Sequence, residues 1–119
     1  MPKLKTYDTG EIAARLAADL PSWHYADGTI QRTYKTAGWK STLMLVTTIG
    51  HLAEAAWHHP DLEVSYNQVT VKLSTHDAKG ITDLDFLLAA KIEETILWRP
   101  GAPFFGTPQD ARQAYVTYE

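Results

Sequence analysis

Gln68-Val69-Thr70-Val71-Lys72-Leu73-Ser74-Thr75-His76 and, a few residues on, Thr82-Asp83-Leu84-Asp85 carry the clearest structural instruction in the chain. Val69, Val71 and Leu73 alternate with Thr70, Lys72 and Ser74, the period of a strand with one face buried and one face wet, over about residues 68–75. Thr82 then has the character of a helix N-cap. Asp83 and Asp85 stand in the first turn, where carboxylates suit the helix dipole. Leu84, Leu88, Ile92 and Ile96 continue from there as a helical stripe. A strand with one dry face needs a layer to cover it, and the helix beside it is a candidate for that layer.

Working upstream, residues 39–58 place Leu43, Val46, Gly50, Ala53 and Trp57 three or four apart, with Leu45, Ile49, Leu52 and Ala56 on the adjoining stripe. This spacing predicts a long helix with a broad buried face. It should end at His59-Pro60, because the residue before a proline is pushed out of helical geometry. Before it, Asp27-Gly28 separates two β-prone runs at 23–26 and 29–35, a hairpin signal because both turn positions want a positive φ. Farther upstream, Ile12, Leu16 and Leu20 predict a helix over about 9–20, closed by Pro21.

The order is helix, hairpin, helix, strand, helix. The fold class expected is α+β: a small antiparallel sheet covered on one face by helices. Three short strands leave open edges, where a second copy could extend the sheet. Residues 1–98 form the domain. Residues 99–119 form a C-terminal extension, with Phe104, Phe105, Tyr115 and Tyr118 as apolar material for docking on its own subunit, a dimer mate or a partner. Thr107-Pro108 is the expected start of one more short helix.

With 119 residues, one domain is expected, and a chain this short gains from a partner subunit. The net charge of -3 supplies no broad basic footprint, which disfavours direct nucleic-acid binding. There is no cysteine, so disulfides, thiolate nucleophiles and cysteine zinc sites are excluded. No apolar run approaches the roughly 20 residues of a membrane span, and no apolar signal core opens the chain. The expected compartment is the cytoplasm, without membrane association.

Five histidines are the main chemical resource: His24, His51, His58, His59 and His76. His58 and His59 stand at the end of the long helix and His76 just past the following strand, so these ends could meet. Glu54 falls one helical turn before His58, on a shared face. Asp77 and Asp85 lie near the loop after His76. Imidazole and carboxylate in one cleft suit acid–base work near neutral pH. The plainer alternative is one buried and one solvated histidine, about 100° apart on a helix. His51 reads as a surface or interface residue, and His24 as structural. Trp23, Trp39 and Trp57 read as core. A metal held by His51, Glu54 and His58 with help from His76 is the sharper rival, but the paired His-Glu-x-x-His motif is absent. No Gly-rich phosphate loop or serine elbow is present.

Taken together, Glu54-Ala-Ala-Trp-His58-His59-Pro60, then Tyr66, then Ser74-Thr75-His76, then Asp85, resemble the signature of the pterin-4a-carbinolamine dehydratases. The resemblance spans about residues 12–97. It implies an antiparallel sheet with helices on one face, assembled as a homodimer or homotetramer. It implies dehydration of 4a-hydroxytetrahydropterin to quinonoid dihydropterin, in recycling of the tetrahydropterin used by aromatic amino-acid hydroxylases, with no metal and no cofactor. It further implies that His58, His59 and His76 are the catalytic histidines. Pro60, Thr75 and Asp77 would line the pterin pocket, and Glu54 and Asp85 would be its acidic positions. On that basis His58 and His76 are expected as the acid–base pair and His59 as the residue that orients the pterin. Trp57 departs from the pattern by its bulk before the histidine pair. The same family also implies a second reading, a protein-binding accessory factor such as a coactivator or assembly factor.

Overall fold

In the computed structural model of the chain, residues 4–101, 104 and 114–119 are described. The first helix, α1, spans Thr9–Asp19. Asp8 caps it: its carboxylate accepts from the Glu11 amide at 2.8 Å, while the Glu11 carboxylate accepts from the Asp8 amide at 3.1 Å. Ile12 and Leu16 are buried on its inner side.

The hairpin forms where Asp27-Gly28 indicated. Strand β1 (His24–Ala26) turns into β2 (Thr29–Lys35), and both turn residues have positive φ, 53° and 78°. Helix α2 spans Trp39–Ala56 and stops two residues before the expected end. The terminator is Trp57, in the left-handed region at φ 53°, ψ 46°. Its amide donates to the carbonyls of Ala53 and Glu54, and the His58 amide donates to Ala53 at 3.0 Å. His58 therefore lies beyond the helix and does not share a helical face with Glu54. The buried stripe of α2 is also narrower than its pattern: Thr42, Leu45, Ile49 and Ala53 are buried, while Leu43 and Trp57 are exposed.

A strand that the sequence reading did not contain follows the histidine pair. Strand β3 (Asp61–Ser65) pairs antiparallel with β4 (Gln68–Leu73) through the turn at Tyr66-Asn67, from Asp61 opposite Lys72 to Ser65 opposite Gln68. The sheet thus has four strands, all antiparallel, in the order β1-β2-β4-β3. Ile30, Arg32 and Tyr34 stand opposite Leu73, Val71 and Val69 and share the inner face. Thr33 and Thr70, whose hydroxyls meet at 2.7 Å, belong to the polar outer face.

Helix α3 spans Asp83–Ile96. Its buried face is Asp85, Phe86, Leu88, Ala89, Ile92 and Ile96, so the inward stripe is rotated from the expected one and Leu84 is exposed. The core is the layer between the sheet's inner face and the helices, with Ile30, Tyr34, Leu45, Ile49, Val69, Val71, Leu73 and Ile92 at its centre.

One ionic element lies inside that layer. Arg32 donates to the Glu93 carboxylate at 2.7 Å, and Glu93 also accepts from Trp23 at 3.2 Å and from the Tyr34 hydroxyl at 2.5 Å. Of the tryptophans read as core, only Trp23 is buried; Trp39 and Trp57 are 50% and 75% exposed.

The last residues return to the sheet. Thr36 bridges Val116, the Thr117 amide donates to Lys35 at 2.9 Å, and the Ala37 amide donates to Tyr115 at 3.0 Å. They run along the part of β2 that β1 is too short to pair, burying Val116. Arg32 reaches the Glu119 main-chain oxygen at 2.9 Å. Phe105 and the Thr107-Pro108 helix start lie outside the described residues.

Candidate active site

Strand β4 runs out at Leu73, and two residues later Thr75 exchanges backbone hydrogen bonds with Gly80: Thr75 N–H to Gly80 O at 2.9 Å and Gly80 N–H to Thr75 O at 3.3 Å. The loop so closed contains a single 3₁₀ turn, His76–Ala78, ended by Lys79 at φ 57°. Beyond it Thr82 caps α3, its hydroxyl accepting from the Leu84 amide at 3.2 Å. These two pinned ends bring Thr75, Thr82 and Asp85 together beneath the surface.

Asp85 is a carboxylate with 0% exposure. Its Oδ2 accepts from the Thr75 hydroxyl at 2.8 Å and from the Thr82 amide at 2.9 Å. Its Oδ1 meets Nε2 of His58 at 2.7 Å. The hydrogens can be assigned by counting donors. Thr75 has one hydroxyl proton and gives it to Asp85, so the 2.8 Å contact between the two threonine hydroxyls is a donation from Thr82. A carboxylate only accepts, so His58 Nε2 carries the hydrogen that faces it. In neutral His58 the lone pair is then on Nδ1. Arg32 Nε is the one buried side-chain nitrogen without a partner among the described residues, so Nδ1 reaches solvent. The result is an imidazole anchored at one nitrogen and open at the other.

The left-handed turn at Trp57 makes this possible by taking the chain off the helix before His58. It also separates the two histidines. His59 turns outward, its Nε2 2.8 Å from Oε1 of Glu54 in a surface pair. The Trp57 and His59 rings meet edge to face, centroids 5.0 Å apart. Glu54 therefore serves His59, whereas the sequence paired it with His58. Pro60 is half-buried at the entry to β3. His76 and Asp77 are exposed on the 3₁₀ turn. His76 makes no hydrogen bond to His58 or His59; what ties it to them is its covalent neighbour Thr75, through Asp85.

Two of the residues expected to line the pocket lie beneath the surface. Thr75 and Asp85 are buried and their side-chain oxygens are engaged with each other, Thr82 and His58. Thr82, read from sequence only as a cap, is part of the network; its spacing to Asp85 as a capping box was the available signal. Tyr66, the aromatic of the signature, lies elsewhere. Its hydroxyl would stand 3.2 Å from a Cβ at Gly38, at the start of α2, which is about 27 Å long. Its carbonyl accepts from Thr42 at 3.0 Å, so its place is structural. The metal set His51, Glu54 and His58 does not form, because His58 has left the helix. Among the described residues no three His, Asp or Glu side chains gather as metal ligands.

Known proteins resemble this chain over the same stretch. The sequence model of the family described as pterin 4 alpha carbinolamine dehydratase matches residues 5–95. An Aquifex aeolicus protein, provisionally named a pterin-4-alpha-carbinolamine dehydratase, is 46% identical over 86 residues, 72% of this chain and 87% of its own. A Chloroflexus aurantiacus protein of the same provisional name is 45% identical over 94 residues, 79% of this chain and 97% of its own. Among solved structures, a transcriptional coactivator/pterin dehydratase from Brucella melitensis superposes with a TM-score of 0.68 at 30% identity, covering 74% of this chain and 95% of that one.

Proposed function

This chain belongs to the pterin 4 alpha carbinolamine dehydratase family, and on that premise we propose that it is a hydro-lyase converting a 4a-hydroxytetrahydropterin to the quinonoid dihydropterin by histidine acid–base catalysis. The reaction removes the 4a hydroxyl as water and a proton from N5, forming the C4a=N5 double bond. It moves protons and a hydroxide but no electrons, so two positioned acid–base groups suffice. The observation that carries the reading is the pairing of buried Asp85 with partly exposed His58, which leaves Nδ1 as the open nitrogen.

In this reading His58 Nδ1 and His76 are the two proton-transfer groups and His59, held by Glu54, binds and orients the pterin. Glu54, Pro60 and Asp77 line the pocket. We assign Thr75 and Asp85 to holding His58, because their oxygens are buried and already hydrogen-bonded to each other, Thr82 and His58. Residues 1–98 are the catalytic unit and 99–119 an extension, whose Tyr115, Val116 and Thr117 meet Ala37, Thr36 and Lys35. No described helix is long and apolar enough to cross a membrane; a cytoplasmic place in tetrahydropterin recycling follows from the proposed chemistry. Exposed Trp39, Leu43 and Met44 on α2 suit a homodimer or homotetramer.

The test is the dehydration of enzymatically generated 4a-hydroxytetrahydropterin, followed by ultraviolet absorbance. Acceleration over the uncatalysed rate is expected. No acceleration by folded protein would overturn the enzyme reading in favour of the accessory-factor one, to which the name of the Brucella melitensis protein gives its one support.

A further inference from the structure

Trp57 combines three properties that its role as a helix terminator does not require. It sits in the left-handed region at φ 53°, where a bulky L side chain is strained and Gly or Asn is at ease. It is 75% exposed, so the strain is not offset by burial of the indole. It directly precedes His58 and packs edge to face on His59 at 5.0 Å, and the Glu54 carboxylate holds that imidazole at 2.8 Å. A strained, solvent-facing aromatic that packs on a held imidazole and directly precedes His58 has the character of a site wall.

We infer that Trp57 is a substrate-stacking residue that sets affinity for a flat, bicyclic heteroaromatic ring; this rests on the dehydratase reading. The indole face is large, rigid and electron-rich, and suits a planar, electron-poor ring through stacking and apolar contact. Such a contact acts on binding and orientation, while the proton transfers stay with the histidines.

The variants Trp57→Asn and Trp57→Gly keep the left-handed turn and remove the ring. Both should melt at or above the wild-type temperature, because strain is relieved. The KM for 4a-hydroxytetrahydropterin should rise about three- to tenfold, with kcat within about twofold. The dissociation constant of 7,8-dihydrobiopterin, measured calorimetrically as a stable probe, should rise by a similar factor. Trp57→Phe should recover most of both. Unchanged KM and probe affinity in active, folded variants would overturn the inference and leave the dehydratase reading standing. A change in oligomeric mass with unchanged KM would also overturn it and make Trp57 an interface residue. Wild-type protein that binds the probe through Trp57 but accelerates nothing would sink the dehydratase reading and keep the stacking site.

Discussion

Oδ1 of Asp85 lies 2.7 Å from Nε2 of His58, and the carboxylate that makes this contact has no exposed surface. The pair joins the chain leaving α2 to the first turn of α3. Its consequence is chemical as well as structural: the partner fixes which ring nitrogen carries hydrogen and therefore which one can take or give a proton.

Asp85→Asn tests this directly. The Thr75 hydroxyl and the Thr82 amide both donate to Oδ2, so the amide oxygen should stay with them and turn its NH2 toward His58. That donor demands a lone pair on Nε2 and forces the hydrogen onto Nδ1. The expected outcome is a fall in kcat of about a hundredfold or more with little change in KM, in protein that still folds. A loss under about fivefold in steady-state assays would remove Asp85 from the mechanism.

Tyr34 governs the alkaline side of stability. Burial, and then its hydrogen bond and proximity to Glu93, push the phenol well above its usual range. A group raised in this way contributes fully below its unfolded pKa of about 10, and the contribution is lost as pH climbs above that value. Tyr34→Phe should flatten the decline of thermal stability above about pH 10. At neutral pH it should cost about 1–3 kcal/mol, because Glu93 loses a donor in the interior. Melting curves across the alkaline range check both parts.

Asp83 acts on the acid side. The Tyr7 hydroxyl at 2.6 Å, and then Arg15 at 2.8 Å, lower its pKa. A depressed carboxyl stabilises above its unfolded pKa, near 4, and that contribution disappears as pH falls through the folded value. Because Asp83 is largely exposed, the effect is small. Asp83→Asn should lower the melting temperature by about 1–4 °C at neutral pH, with the difference from wild type vanishing below about pH 3.

The C-terminal residues are tested by Val116→Asp. Val116 is buried against the part of β2 that β1 leaves unpaired, so a charge there should release the segment and cost about 2–4 kcal/mol. Amide exchange at Thr117 and Ala37 should speed up, since both amides donate across this junction. Unchanged exchange would show that the segment does not depend on that burial.

The parts of this fold that sequence makes legible are those with local chemistry behind them. Asp27-Gly28 specifies its hairpin through positive φ, and Val69, Val71 and Leu73 specify a half-buried strand by alternation. Strand β3 escapes notice because Asp61, Glu63 and Ser65 are poor strand formers; Leu62 and Val64 alternate over too few residues to outweigh them. The sequence puts the end of α2 at His59-Pro60 because proline is the visible breaker. The actual stop, a left-handed tryptophan, is a conformation that composition argues against. The signature groups His58, His59 and His76, but an aspartate in a helix's first turn looks solvated from sequence. The burial of Asp85 depends on Thr75, which arrives from a different element.

The most direct test is single-turnover dehydration of 4a-hydroxytetrahydropterin by wild type, His58→Ala and His76→Ala, each verified as folded. Acceleration by wild type, with at least a roughly tenfold loss in either variant, is predicted for two histidines that share the proton transfers. Wild-type acceleration that survives both substitutions to within about twofold would contradict the assignment.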